Sequence, residues 1–324
     1  MKKRFLILIL LIVGLFTITG CGCSKKTNED TKNKKEIITP LMYKVTKEGS
    51  SNTIYILGTI HAGSLKNTEF AKYVTKAFDE SHYVAAEIDN EEDESLDEVL
   101  EQLEKFTYDG DDTIKNHMSS EENYNKLMKY VEDNNLEIEL IDKEKLNLEY
   151  YSRSLTQVVI EKSGLTAEEG IDEYFVNMAK KEKKNFLVVE GTEFQSEVLA
   201  SLSDKFYENM IISAIENLDE QIKELKDSFE IWKKGNEKEI WKDDGSSIKE
   251  EDKSKYSEED IKAAEEFDEK ILYSRNITMT DKLEEYFKDN KDVFYMVGQD
   301  HVIGDRGIVS LLRQRGYTVT KISK

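Results

Sequence analysis

Six short apolar runs constrain this chain most: residues 53–57, 83–86, 137–141, 186–189, 293–297 and 317–322. Each has the length of a strand, and several are apolar at consecutive positions, which suits strands covered on both faces. Between them lie segments of helical period at residues 70–80, 120–134, 171–183, 196–233 and 258–288. Strands alternate with helices mainly near the two ends, and helices dominate the middle. The expected fold class is therefore α/β, a mixed or mainly parallel central sheet with flanking helices and a large helical insertion.

The N-terminus follows a different logic. Lys2, Lys3 and Arg4 precede an apolar run over residues 5–18, then small residues lead to Cys21. The run is short of the roughly 20 residues a membrane span needs, but fits the core of a cleaved export signal. Ile18-Thr19-Gly20-Cys21 resembles a bacterial lipobox, so residues 1–20 read as a lipoprotein signal peptide and Cys21 as the lipidated first mature residue. Residues 21–40 are polar and read as a flexible tether, with the folded domain over residues 41–324. The expected location is the extracytoplasmic face of the cell membrane, held there by the lipid anchor.

Cysteine usage narrows the chemistry. Cys21 and Cys23 are the only cysteines, so the folded domain has no disulfide, no cysteine nucleophile and no cysteine-rich zinc site. Any metal must be held by His, Asp or Glu. The formal net charge of −21 disfavours nucleic acid as a partner. A second polar stretch, residues 233–259, reads as a partly helical surface excursion.

Four of the predicted strands end alike. Residues 53–57 run into Gly58-Thr59-Ile60-His61, and residues 293–297 into Gly298-Gln299-Asp300-His301. Residues 83–86 run into Glu87, and residues 186–189 into Glu190. Ligands of open α/β sheets bind at the carboxyl ends of strands, so these four ends can converge although His61 and His301 sit at opposite ends of the domain sequence. Two neutral imidazoles with one or two carboxylates can form a ligand shell for a divalent transition metal such as Zn, Mn or Co. A strand-end histidine is also common as a hydrogen-bonded core residue. The repeated strand-then-Gly-x-x-His context is what favours a site.

Arg275 adds to this. Ile271, Leu272, Arg275, Met279 and Leu283 share one helical face, which places a guanidinium on an apolar stripe. It needs an anion there, either Glu87 or Glu190 in an ion pair or an oxygen of a substrate. His82 and His117 read as surface residues, and the apolar positions of residues 196–233 as core.

These residues carry a resemblance. YILGTIHAG (residues 55–63), AAEID (85–89), GIDEYF (170–175), VVEGTEFQ (188–195), WKKG (232–235), RNITM (275–279) and VGQDHVIGDRGIVSLLRQRGY (297–317) stand in the order found in the TraB/GumN family. That family is similar to the membrane-tethered Tiki metalloproteases. The resemblance implies a metal-dependent hydrolase acting on peptides through a metal-activated water. His61 and His301 would be metal ligands and Glu87 a ligand or base, with Glu190 and Arg275 completing the catalytic group. Gln299-Asp300 replaces small residues found in many relatives, so Asp300 adds either a ligand or a charge that repels an anionic substrate. The alternative is a non-catalytic lipoprotein that binds or sequesters a peptide or haem.

If Cys21 carries the anchor, Cys21→Ser abolishes incorporation of labelled fatty acid and leaves an uncleaved precursor or a released domain. Cys21→Ser protein that is processed and fractionates with membranes like the wild type would refute this.

Overall fold

The computed structural model describes residues 35–88, 103–136, 141–240, 247–248 and 250–323. Cys21 and nearly all of the expected strand at 137–141 lie outside them. No helix among the described residues is long and apolar enough to cross a membrane.

Among the described residues, eight strands form two sheets. Strands β1 (Glu36–Ile38) and β4 (Thr68–Phe70) pair in parallel as a small outlying sheet. The main sheet has the order β6-β5-β7-β3-β2-β8, built from β2 (Met42–Thr46), β3 (Ile54–Thr59), β5 (Tyr83–Ala86), β6 (Asn185–Val188), β7 (Val293–Gly298) and β8 (Thr318–Lys321). Strands β6, β5, β7 and β3 run parallel side by side, and β2 is antiparallel to both β3 and β8. The sheet is mixed, with its parallel half running inward from the β6 edge and the antiparallel pairings at the β8 side.

Both faces are covered over β3, β5 and β7, which is why those runs are apolar at successive positions, whereas the edge strand β6 is part-exposed despite its apolar run. On one face Val293, Tyr295 and Val297 pack with Met279, Leu283, Val309 and Leu312. On the other, Phe294 and Met296 pack with Phe78, Phe175, Tyr151 and Trp232. Helices α1 (Lys72–Glu80) and α4 (Ile171–Glu182) supply part of the second face, together with the helical insertion. That insertion comprises α2 (Glu121–Asn134), α3 (Leu148–Ser163), α5 (Thr192–Ala200), α6 (Asp204–Glu216), α7 (Leu218–Lys234), the short α8 (Glu237–Ile240) and α9 (Glu258–Phe267). Helices α10 (Ser274–Lys288), α11 (Gln299–Val302) and α12 (Ile308–Gln314) complete the chain.

Three expectations need correction. Residues 196–233 are three helices rather than one, because Ser203 leaves the helical region to cap α6 and Asn217 breaks the chain before α7. Residues 258–288 continue from α9 to α10 only through a π-helical turn, Asp268–Tyr273. Ordered structure also begins ahead of Leu41: β1 pairs with β4, Ile38 is buried, and Lys233 bonds Glu36.

The end of α7 ties the insertion to the sheet. Trp232, fully buried and stacked on Phe229, donates its indole N–H to the Gly58 carbonyl at 2.8 Å. Three residues later Gly235, at φ +57°, lies against the backbone of Thr39, Pro40 and Leu41 so closely that no side chain would fit.

His117 is more than a surface residue. It stacks on Tyr108 with ring centroids 4.1 Å apart, while its Nδ1 lies 2.7 Å from Asp204 and its Nε2 2.9 Å from Asp112. Asp204 opens α6, so the histidine clasps the segment before α2 to the insertion. Burial opposes its charge, but the hydrogen bonds to Asp112 and Asp204 outweigh that and raise its pKa above the ordinary histidine value. A raised folded-state pKa stabilises fully below the unfolded value near 6.5 and loses that contribution as pH rises through the folded one. The stability deficit of His117→Asn, read as thermal midpoint against wild type, should therefore be larger at about pH 6 than at about pH 9. An equal deficit at both would show that the clasp is not ionic.

Candidate functional site

The carboxyl ends of β6, β5, β7 and β3 lie along one edge of the parallel half of the sheet, and they bring Glu190, Glu87, His301 and His61 together. Arg275 enters from α10. Its Nη2 lies 2.7 Å from both Glu87 Oε2 and Glu190 Oε2, its Nε donates to Glu190 at 3.0 and 3.1 Å, and its Nη1 reaches the Ile271 carbonyl at 3.2 Å. All three side chains are at most 5% exposed. Ile271 lies within the π-helical turn that precedes α10, a kind of turn frequent at functional sites.

Two further donors complete the cluster. Gln195, one turn into α5, gives its amide N–H to Glu87 Oε2 and to Glu190 Oε2, each at 3.0 Å. The Gly298 backbone N–H donates to Glu87 Oε1 at 2.7 Å. Burial would raise the Glu87 pKa, but Arg275 outweighs it, aided by His301, His61 and the Gly298 N–H, and lowers it to about 2. Burial works against the Arg275 charge too, and Glu87 and Glu190 more than compensate. Both carboxylates thus spend their oxygens on donors from the chain itself.

The two histidines occupy unlike settings. His61 Nδ1 lies 2.9 Å from Asp172 Oδ2, an ion-pair contact rather than a well-aligned hydrogen bond. Asp172 reaches it because Gly170 lets the start of α4 pack on the His61 backbone: a Cβ at Gly170 would sit 2.5 Å from the His61 carbonyl oxygen. The Ile171 N–H also bonds the Ile60 carbonyl. Part of the ring is open to solvent, yet Nε2 is buried. Burial opposes its charge, but Asp172 first and then Glu87 prevail, holding the pKa up to about 9.

His301 is fully buried, and its Nδ1 lies 2.6 Å from Asn276 Oδ1. Asn276 gives its amide N–H to the Arg306 carbonyl, so its oxygen faces the ring and His301 carries its proton on Nδ1. Burial and the neighbouring Arg275 push the His301 pKa down to about 3. The ring is neutral, with its Nε2 lone pair free.

Buried polar atoms nearly always find a partner. Yet Thr59 Oγ1, His61 Nε2, Asp172 Oδ2, Gln299 Oε1 and His301 Nε2 have no hydrogen bond. Four of the five come from the ends of β3 and β7, where Thr59 and Gly298 are register partners, and the fifth faces His61. Their concentration at one edge marks a place for a ligand. Among the described residues, however, no group of three or more His, Cys, Asp or Glu side chains is arranged to hold a metal, so His61, His301 and Glu87 do not form such a triad.

A family model describing the TraB/PrgY/gumN family matches residues 41–321. The chain belongs to that family. No curated protein and no solved structure matches it. Sequence reading assigned no role to Asp172, Gln195, Asn276 or Gln299. The signal was at hand for all four, which lie inside the motif blocks GIDEYF, VVEGTEFQ, RNITM and VGQDHVIGDRGIVSLLRQRGY.

Removing one partner of a buried ion cluster strands the others. Arg275→Ala should cost about 3–5 kcal/mol of unfolding free energy in urea titrations, and adding Glu87→Gln and Glu190→Gln to the Arg275→Ala variant should recover a large part. A loss under about 1 kcal/mol for Arg275→Ala would show that the guanidinium does not hold the cluster together.

Proposed function

We propose that this family member is a membrane-anchored, extracytoplasmic, metal-dependent hydrolase of peptides. The observation that carries the reading is the pair of buried Nε2 atoms on His61 and His301, both without partners while each Nδ1 faces an oxygen. Metal-ligating histidines are held in this way, their second nitrogen turned to a carboxylate or carbonyl that fixes tautomer and ring orientation. The imidazole pair therefore fits a divalent cation such as Zn, Mn or Co. A cation held there would supply Lewis-acid polarisation of a scissile carbonyl and make a nearby water more acidic.

The chain's own groups take defined parts. Asp172 and Asn276 orient the two rings. Glu87, kept ionised by Arg275, holds the guanidinium and the start of α11 in place. Arg275 brings a fixed positive charge to the strand ends, where it favours negative charge developing on a substrate oxygen. The peptide substrate class rests on the likeness to peptide-cleaving relatives, and the anchor on the lipobox at Cys21.

A specific observation favours the rival, a lipoprotein that sequesters its ligand uncut. With Glu87 and Glu190 both bound to Arg275 and Gln195, neither carboxylate is left as an evident base. Peptides recovered intact by mass spectrometry after incubation with metal-loaded protein would support this rival.

On the hydrolase reading, His61→Ala or His301→Ala removes most bound metal, measured by plasma mass spectrometry, and nearly all cleavage of a peptide library. The double variant should be scarcely worse than either single one, because ligands act as a unit. Unchanged metal content in both single variants would overturn the reading.

A further inference from the structure

If His61 and His301 hold a cation, the third protein donor has to come from somewhere. The carboxylates that would ordinarily supply it are committed: Glu87 Oε1 accepts from the Gly298 N–H, Glu87 Oε2 from Arg275 and Gln195, and Glu190 from the same two side chains. No third His, Cys, Asp or Glu among the described residues joins the two histidines in a metal-holding group. Asp172 Oδ2 is turned to His61 Nδ1, and the other unpartnered oxygens at the strand ends are the neutral ones of Thr59 and Gln299.

We propose that Gln299 supplies that donor, its side-chain amide oxygen joining the Nε2 atoms of His61 and His301 around one divalent cation. The inference rests on the histidine-pair reading above and deepens it.

Gln299 is 5% exposed, and its Oε1 has no partner. Leaving a buried amide oxygen unbonded is costly, and a purely structural glutamine would avoid that cost by finding a donor. The residue opens α11 two positions before His301, directly after the β7 residue that pairs with Thr59. Its main chain is fixed against β3: a Cβ on Gly58 would lie 3.1 Å from both Cα and Cβ of Gln299. Glycine at 58 is thus what lets residue 299 sit beside the strand that leads to His61.

Chemistry prefers Gln299 to Thr59 as the donor. An amide carbonyl is an established neutral oxygen ligand for hard cations, whereas a neutral hydroxyl is a poorer one. Two imidazoles and an amide oxygen form a donor set with no charge of its own. Such a set binds more weakly than one containing a carboxylate, and its oxygen makes the site more hospitable to Mn²⁺ than imidazoles alone would.

The test is calorimetric titration of the full chain in detergent, stripped with chelator, using Mn²⁺ and Zn²⁺ separately. Wild type should take up one ion. Gln299→Leu should weaken binding by roughly 10–100-fold without lowering the metal-free thermal midpoint, because it deletes an unbonded buried polar atom and keeps the volume. Gln299→Glu should tighten binding by about tenfold or more, since it adds a charged ligand. Thr59→Val should bind like the wild type. Wild-type affinity in Gln299→Leu overturns the proposal, as does a lowered metal-free midpoint with unchanged affinity, which would make Gln299 a structural residue. If wild type binds an ion and the Gln299 variants bind it equally, this proposal falls and the histidine pair stands. If wild type takes up neither ion, the histidine-pair reading falls and this proposal with it.

Discussion

The rest of the site depends on one buried charge cluster, Arg275 held between Glu87 and Glu190. Two carboxylates at the ends of neighbouring parallel strands repel each other and lose their hydration, a combination that no packing force could sustain alone. The guanidinium resolves it by serving both, and Gln195 and the Gly298 N–H take up the remaining acceptor capacity. Satisfying these partners together fixes the ends of β5, β6 and β7 and the approach of α5 and α10. The cost of leaving any member unpaired makes this edge of the sheet stiff.

On that stiff edge the two Gly-x-x-His segments acquire different electrostatics. His61 faces the carboxylate of Asp172 and is held positive up to about 9, whereas His301 faces an amide carbonyl and Arg275 and remains neutral down to about 3. Equivalent motifs thus give inequivalent imidazoles, and the difference comes from α4 and α10 rather than from the motifs themselves. A cation held by both Nε2 atoms would displace the proton of His61 and use the lone pair that His301 already offers.

The helical insertion does structural work for this arrangement. Through Trp232 it bonds the carbonyl of Gly58, the glycine on which Gln299 packs. The π-helical turn ahead of α10 offers the Ile271 carbonyl to Arg275. The WKKG and RNITM blocks, far apart in sequence, are thereby the outer supports of one edge. Helix α3, which is buried along much of its length and packs on α6 and α7, anchors the insertion. Sequence periodicity did not single it out, because residues buried on several sides lose the one-faced pattern that marks a surface helix.

Sequence alone determined the strands of the parallel half and the residues at their ends. Apolar runs at successive positions demand cover on both faces, and a glycine, glutamate or histidine directly after such a run can only stand at the sheet's carboxyl edge. The apolar stripe through Ile271, Leu272 and Met279 likewise fixed that Arg275 would face inward and need an anion, but not which one. Tertiary structure decided the partners: both carboxylates for Arg275, Asp172 for His61, Asn276 for His301, and none for Gln299 Oε1. It also decided that β2 runs antiparallel to β3 and that residues 196–233 break into three helices. The physical reason is range. Periodicity and turn chemistry act over a few residues and are written locally, whereas a hydrogen bond between residues 87 and 275, or an amide oxygen left unbonded, exists only once distant segments have been packed together.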